Sequence, residues 1–142
     1  GISSEFAFDI DYTHLINVID GLAGHFEKMK DQYGLYQSAP IPVRFVPQSK
    51  AFLSQCFTCT KMYIDLPTLE GVNGTLQIMD HNLQFMLRQG GLPHWGKVNY
   101  PLYYNSNFID THYPKAPLWR EIRNRMDPIK MFYSEFVRKM GL

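Results

Sequence analysis

Ser4-Glu5-Phe6-Ala7-Phe8-Asp9-Ile10-Asp11, followed from Tyr12 by Leu15, Ile19, Leu22, Phe26, Met29 and Tyr33, is the stretch on which the fold turns. Ser4 to Phe8 alternates loosely between polar and apolar residues and reads as a strand. Asp9 and Asp11 offer side-chain oxygens of the kind that cap a helix N-terminus. The apolar residues from Tyr12 to about Gln32 recur at helical spacing, and Gly34 is a stop signal. A strand feeding directly into an amphipathic helix sets the pattern for the rest of the chain.

Downstream, Ser38-Ala39-Pro40 marks a loop. Ile41 to Val46 reads as a strand with Ile41, Val43 and Phe45 on one face and Arg44 and Val46 on the other. Pro42 lacks a backbone donor, which restricts this strand to an edge or Pro42 to its start. Gln48 to Gln55 reads as a loop or short helical turn. Phe57 to Leu66 is rich in β-branched and aromatic residues and predicts another strand, closed by Pro67. Gly71-Val72-Asn73-Gly74 is a turn. Thr75 is placed to cap a second helix with Leu76, Met79, Leu83 and Met86 on its buried stripe, ending at Gly90-Gly91. After a Tyr- and Asn-rich stretch from Asn99 to Tyr113, Ala116 to Met126 reads as a helix with Leu118, Ile122 and Met126 inward. Asp127-Pro128 ends it. Phe132, Phe136 and Val137 are expected to anchor the tail. The order strand–helix–strand–strand–helix predicts an α+β fold, an antiparallel sheet with helices packed on one face.

Bulk properties narrow the function. The chain has 142 residues, 45% apolar and 15% aromatic, which argues for a folded domain with a real core. Its net charge of +1 gives no electrostatic case for nucleic acid or an anionic membrane surface. No apolar run approaches the roughly 18–20 residues of a membrane span, and no signal-peptide pattern opens the chain. The compartment stays open between cytoplasmic and membrane-associated. Cys56 and Cys59 form a CxxC, the spacing of a redox pair or half a zinc site, and equally of two structural cysteines. A second CxxC is absent, and His14, His25, His81, His94 and His112 lack ligand spacing, so no metal site is predicted. The chain has no GxGxxG, phosphate loop, HExxH or nucleophile elbow. Any nucleotide cofactor would be held mainly by residues outside it.

The sharpest local feature is Gly91-Leu92-Pro93-His94-Trp95-Gly96-Lys97. Two glycines and a proline impose an irregular backbone, and an aromatic, a glycine and a fixed cation follow. Such a run suits a planar ligand: Trp95 as a flat wall, Gly96 for close backbone approach, Lys97 to neutralise negative charge. Taken alone, it also suits a helix-end loop with a packed tryptophan and a solvated lysine.

The run resembles the C-terminal signature of the aldonolactone oxidases, a branch of the vanillyl-alcohol-oxidase-type flavoproteins. Further pieces match in order. Ser4-Glu5-Phe6-Ala7-Phe8 and Pro40-Ile41-Pro42-Val43-Arg44-Phe45 are similar to family strands. Leu118 to Arg125, then Asp127-Pro128-Ile129-Lys130-Met131-Phe132, are similar to the family's closing segment. The resemblance implies an FAD-dependent oxidoreductase that oxidises an alcohol group of a sugar lactone, alditol or related alcohol by hydride transfer to flavin. It implies residues 1–90 as part of the substrate-side cap, and residues 91–142 as a flavin-facing segment with a C-terminal helical return. FAD would be held mainly by an N-terminal domain not present in this chain, which alone would be inactive. Arg44 and Lys97 take catalytic positions by this match. His94, Trp95, Gly96 and Lys97 take cofactor-binding ones. One departure stands out: the family has a glutamate two residues before the arginine, and this chain has Pro42. The alternatives from other classes are a non-catalytic α+β interaction domain sharing the cap architecture, and a redox or metal module built on Cys56 and Cys59.

Overall fold

The computed structural model describes residues 1–142, the side chain of residue 106 excepted. Strand β1 (Ile2–Asp9) leads into helix α1 (Tyr12–Tyr33). The Asp11 carboxylate accepts the His14 N–H at 2.7 Å and caps the helix, whereas the Asp9 carboxylate is turned to Lys61 and does not cap. Gly34 ends α1 in the left-handed conformation (φ 63°), its N–H on the Lys30 carbonyl. Strands β2 (Val43–Val46) and β3 (Lys61–Thr68) follow, then helix α2 (Thr75–Arg88) and the short strand β4 (Leu92–Pro93). A 3-10 turn (Tyr100–Leu102) precedes α3 (Ser106–His112), α4 (Ala116–Met126) and α5 (Glu135–Lys139). The fold is α+β, and the sheet is antiparallel in the order β2-β3-β1-β4.

Period-two alternation divides the sheet into two faces. Phe6 and Phe8 of β1 and Met62, Ile64 and Leu66 of β3 point toward α1 and α2. There they meet Leu15, Val18 and Leu22 of α1 and Met79, Leu83 and Met86 of α2. Each such side chain removed from water stabilises the fold by about 1.5–3 kcal/mol. Between the helices His25 Nε2 and Asn82 Oδ1 are 3.0 Å apart, and the imidazole stacks on Phe85. Burial holds the His25 pKa below the ordinary histidine value despite the Asn82 hydrogen bond. A second core joins Leu102, Ile109, Tyr113, Ala116, Met140 and Leu142 of the C-terminal helices, with Trp95, Leu53 and Leu87 packed against it.

Several local expectations are corrected. β3 starts at Lys61 rather than Phe57, because the Phe57 N–H closes a turn on the Ser54 carbonyl. Pro67 lies inside β3, opposite Ser3. Its nitrogen faces the β2 side, beyond the end of that strand, so no ladder bond is lost. Thr75 is the first residue of α2, not its cap. Gly74 (φ 83°) holds the cap position and the Thr75 hydroxyl donates back to the Leu69 carbonyl at 2.6 Å. The buried stripe is therefore Ile78, Met79, Asn82, Leu83 and Met86, and Leu76 faces solvent. In α4 the inward residues are Ala116 and Trp119, and Ile122 is partly buried; Leu118 and Met126 are exposed. Phe136 and Val137 do pack on the second core, but Phe132 is exposed. The Asp127 carboxylate instead accepts the Met131 and Phe132 N–H groups and fixes that turn.

Candidate active site

The sheet face away from α1 carries charge. β1 contributes Ser3 and Glu5, β2 contributes Arg44, and β3 contributes Tyr63 and Asp65. The Arg44 guanidinium forks onto Glu5, Nε to Oε1 at 2.7 Å and Nη2 to Oε2 at 2.9 Å. It spans β3 to do so and lies over the Tyr63 ring at 4.6 Å. Glu5 is almost fully buried and Arg44 half exposed. Burial pushes the Glu5 carboxyl up, but Arg44, with His94 and Lys97 nearby, outweighs it and holds the group below the usual carboxylate range. Glu5 is thus a fixed anion rather than a proton acceptor. Two of the three Arg44 nitrogens are occupied by it; Nη1 is left for an outside acceptor.

The segment after α2 reaches this face through a bulge. Gly91 has no space for a side chain: a Cβ there would lie 2.7 Å from Phe8 Cζ and 3.0 Å from the Met86 carbonyl. Beyond it β4 pairs with β1, the His94 N–H donates to the Glu5 carbonyl at 2.8 Å, and the Val98 N–H to the Ser3 carbonyl at 3.0 Å. The chain thus advances from 94 to 98 while β1 advances from 5 back to 3, and the excess is taken up by a turn closed from Lys97 N–H to the His94 carbonyl. His94 Nδ1 accepts the Gly96 N–H at 3.0 Å, which leaves Nε2 as the ring's donor. His94 sits edge-on to Tyr63, ring centroids 6.2 Å apart. Lys97 Nζ reaches over the face to Ser3 Oγ at 2.8 Å and Asp65 Oδ2 at 3.3 Å.

Arg44, His94 and Lys97, separated in sequence, therefore come together on one surface, with Gly96 exposed beside them. Trp95 points elsewhere. Its Nε1–H donates to the Leu53 carbonyl at 2.7 Å and its ring packs on Tyr113 and Phe136, holding the run from the helical side. Glu5, Tyr63 and Asp65 are the residues that sequence reasoning missed. Asp65 Oδ1 is buried and has no hydrogen-bond partner among the described residues. Asp65 also lies opposite Pro42, whose carbonyl accepts its N–H at 3.0 Å, so a carboxylate faces the site across from the proline. The available signal was a charged residue at an alternating position inside an otherwise apolar strand.

Cys56 is buried, 3.4 Å from the Tyr63 hydroxyl. Cys59 is partly exposed and donates to Asp9 Oδ1 at 2.9 Å, the same oxygen that Lys61 holds at 2.7 Å. Neither cysteine has a cluster of further ligand-type side chains around it among the described residues.

A model of the D-arabinono-1,4-lactone oxidase family matches residues 2–140. An L-gulono-1,4-lactone dehydrogenase of Mycobacterium tuberculosis is 27% identical over 107 residues, covering 71% of this chain and 23% of that protein. The L-gulonolactone oxidases of Mus musculus and Bos taurus are each 26% identical over 104 residues, with the same shares. The chain thus spans under a quarter of the length of these relatives.

Proposed function

Because the chain belongs to the D-arabinono-1,4-lactone oxidase family, we propose that it forms the substrate side of a flavin-dependent oxidoreductase acting on an alcohol group of a sugar lactone or alditol. The observation that carries this reading is the gathering of Arg44, Glu5, Asp65 and Lys97 from separate segments onto the sheet face away from α1 and α2. The donor set fits a flavin. Lys97 is a fixed cation beside exposed backbone at Gly96, suited to the negative charge near a flavin's pyrimidine ring. Flavin, when bound, supplies the hydride acceptor, and a further domain of the full-length protein holds it. This chain alone does not turn over.

Glu5 fixes the Arg44 plane, so Nη1 meets a lactone or hydroxyl oxygen without reorganisation. The Asp65 carboxylate, 17% exposed on this face, accepts a hydrogen bond from a substrate hydroxyl. It does what Pro42 cannot. Tyr63 stays protonated, its phenol pushed far up by burial, and backs the guanidinium with its ring.

The test is the absorption spectrum of the full-length protein, titrated anaerobically with a panel of lactones, alditols and simple alcohols. A flavin band that bleaches with one class supports the proposal and names the substrate. Purified protein that carries no flavin and takes up none refutes it. Arg44→Ala and Lys97→Ala should each lower turnover about 100-fold or more, the scale of losing one preorganised electrostatic contact. Unchanged kinetics would remove that residue from the site.

A further inference from the structure

The β2 edge of the sheet is unfinished. β3 takes the inward side of β2 through Arg44 and Val46, and the Pro42 carbonyl accepts the Asp65 N–H. Antiparallel geometry then turns the N–H and C=O groups of Val43 and Phe45 outward, where β2 has no further neighbour in the sheet. Above this edge, on the α1 side, lies an apolar groove of about 330 Å³, lined by Ile19, Leu22, Phe26, Ile41, Val43 and Ile64. Val43 is 47% exposed, Phe45 64% and Ile19 49%. Pro42 and the four-residue length of β2 limit the pairing this edge can offer, but Val43 and Phe45, the residues whose ladder groups turn outward, carry exposed apolar side chains.

We infer that β2 accepts a fifth strand, contributed by the part of the full-length polypeptide that this chain does not span. Free ladder groups in register with an apolar groove select an extended segment rather than a helix, with apolar residues at alternate positions over Ile19 and Val43. The chain covers 23% of its relatives' length, so a protein of that length has ample polypeptide to supply it. Such a strand would bury Val43, Phe45 and Ile19. Its other face would lie next to Arg44, placing side chains from outside this chain at the rim of the charged array.

Hydrogen exchange on the full-length protein tests this directly. The Val43 and Phe45 amides should exchange at least about 100-fold more slowly than exposed loop amides, as paired sheet amides do. In a Cys59→Ser background, Phe45→Cys should react with a maleimide at least about tenfold more slowly than Leu76→Cys, a similarly exposed position in this chain. Exchange and labelling as fast as at exposed loops would overturn the inference. So would protection that appears only as protein concentration rises, which would assign the edge to a second copy. Neither measurement depends on flavin or turnover.

Discussion

Glu5 and Phe6 are neighbours in β1 with opposite fates. Phe6 enters a core of aliphatic, aromatic and methionine side chains under α1 and α2. Glu5 is nearly as buried, yet it faces an arginine, a lysine, an aspartate and a histidine. The same backbone thus builds one surface for cohesion and one for electrostatics. The first needs volume and shape alone; the second needs particular atoms, because a buried charge is tolerated only with its partner in place. Damage to the first should cost stability without regard to chemistry, and damage to the second should cost function out of proportion to stability.

The largest effect is expected on the cohesive face. Phe6→Ala should lower unfolding free energy by about 3–5 kcal/mol, measured by denaturant titration. A loss below about 1 kcal/mol would show that the core repacks and that the two faces differ less than their residues suggest. On the charged face, Glu5→Gln should cost about 1–3 kcal/mol, less than a fully buried pair because Arg44 is half exposed. On the proposed function, turnover of the full-length protein should nonetheless drop strongly. Equal losses for a Phe6→Leu control would erase the contrast.

Acid should sharpen it further. His25 is neutral in the fold, its pKa depressed by burial, and His112 shifts in the same direction, again chiefly by burial. The unfolded chain takes up protons near the ordinary histidine value of about 6.5, and the fold resists until lower pH. Stability should therefore be fully present above that value, fall as pH drops below it, and level off once the folded histidines titrate. His25→Gln should flatten part of this slope in thermal melts, and an unchanged slope would clear His25. Glu5 and Asp9, whose carboxyls lie below their usual ranges, contribute at still lower pH. The smallest effect concerns Cys59, where Cys59→Ser should change stability by no more than about 0.5 kcal/mol. Thiol titration should find Cys59 reactive and Cys56 protected. Zinc bound in stoichiometric amount would contradict both expectations.

The β1–α1 joint was legible because its signals are local: a capping Asp11, a helical apolar period and Gly34 at the stop. α2 was found with Met79, Leu83 and Met86 on its inward face, but Leu76 in its first turn lies off that face and Gly74 rather than Thr75 holds the cap position. The C-terminal helices were the hardest. α4 buries a narrow side made largely by Ala116 and Trp119, while Leu118, Met126 and Phe132 stay out, so apolar spacing alone pointed to the wrong face. Of the candidate site, Lys97 and His94 stand in one short run, and Arg44 was assigned through the resemblance of its strand to a family strand. Glu5, Tyr63 and Asp65 were hidden because only strand register brings them together, and register is a pairing property that no single segment carries.

The fork between Arg44 and Glu5 has a mechanical consequence. β2 is four residues long, and a terminal strand of that length would ordinarily be the first to fray. The fork fastens it to β1, two strands away, over the top of β3. Peeling the outermost strand therefore requires breaking a staple anchored near the middle of the sheet. A fluctuation that releases β2 must break the Arg44–Glu5 pair, and so also disturbs the charged surface.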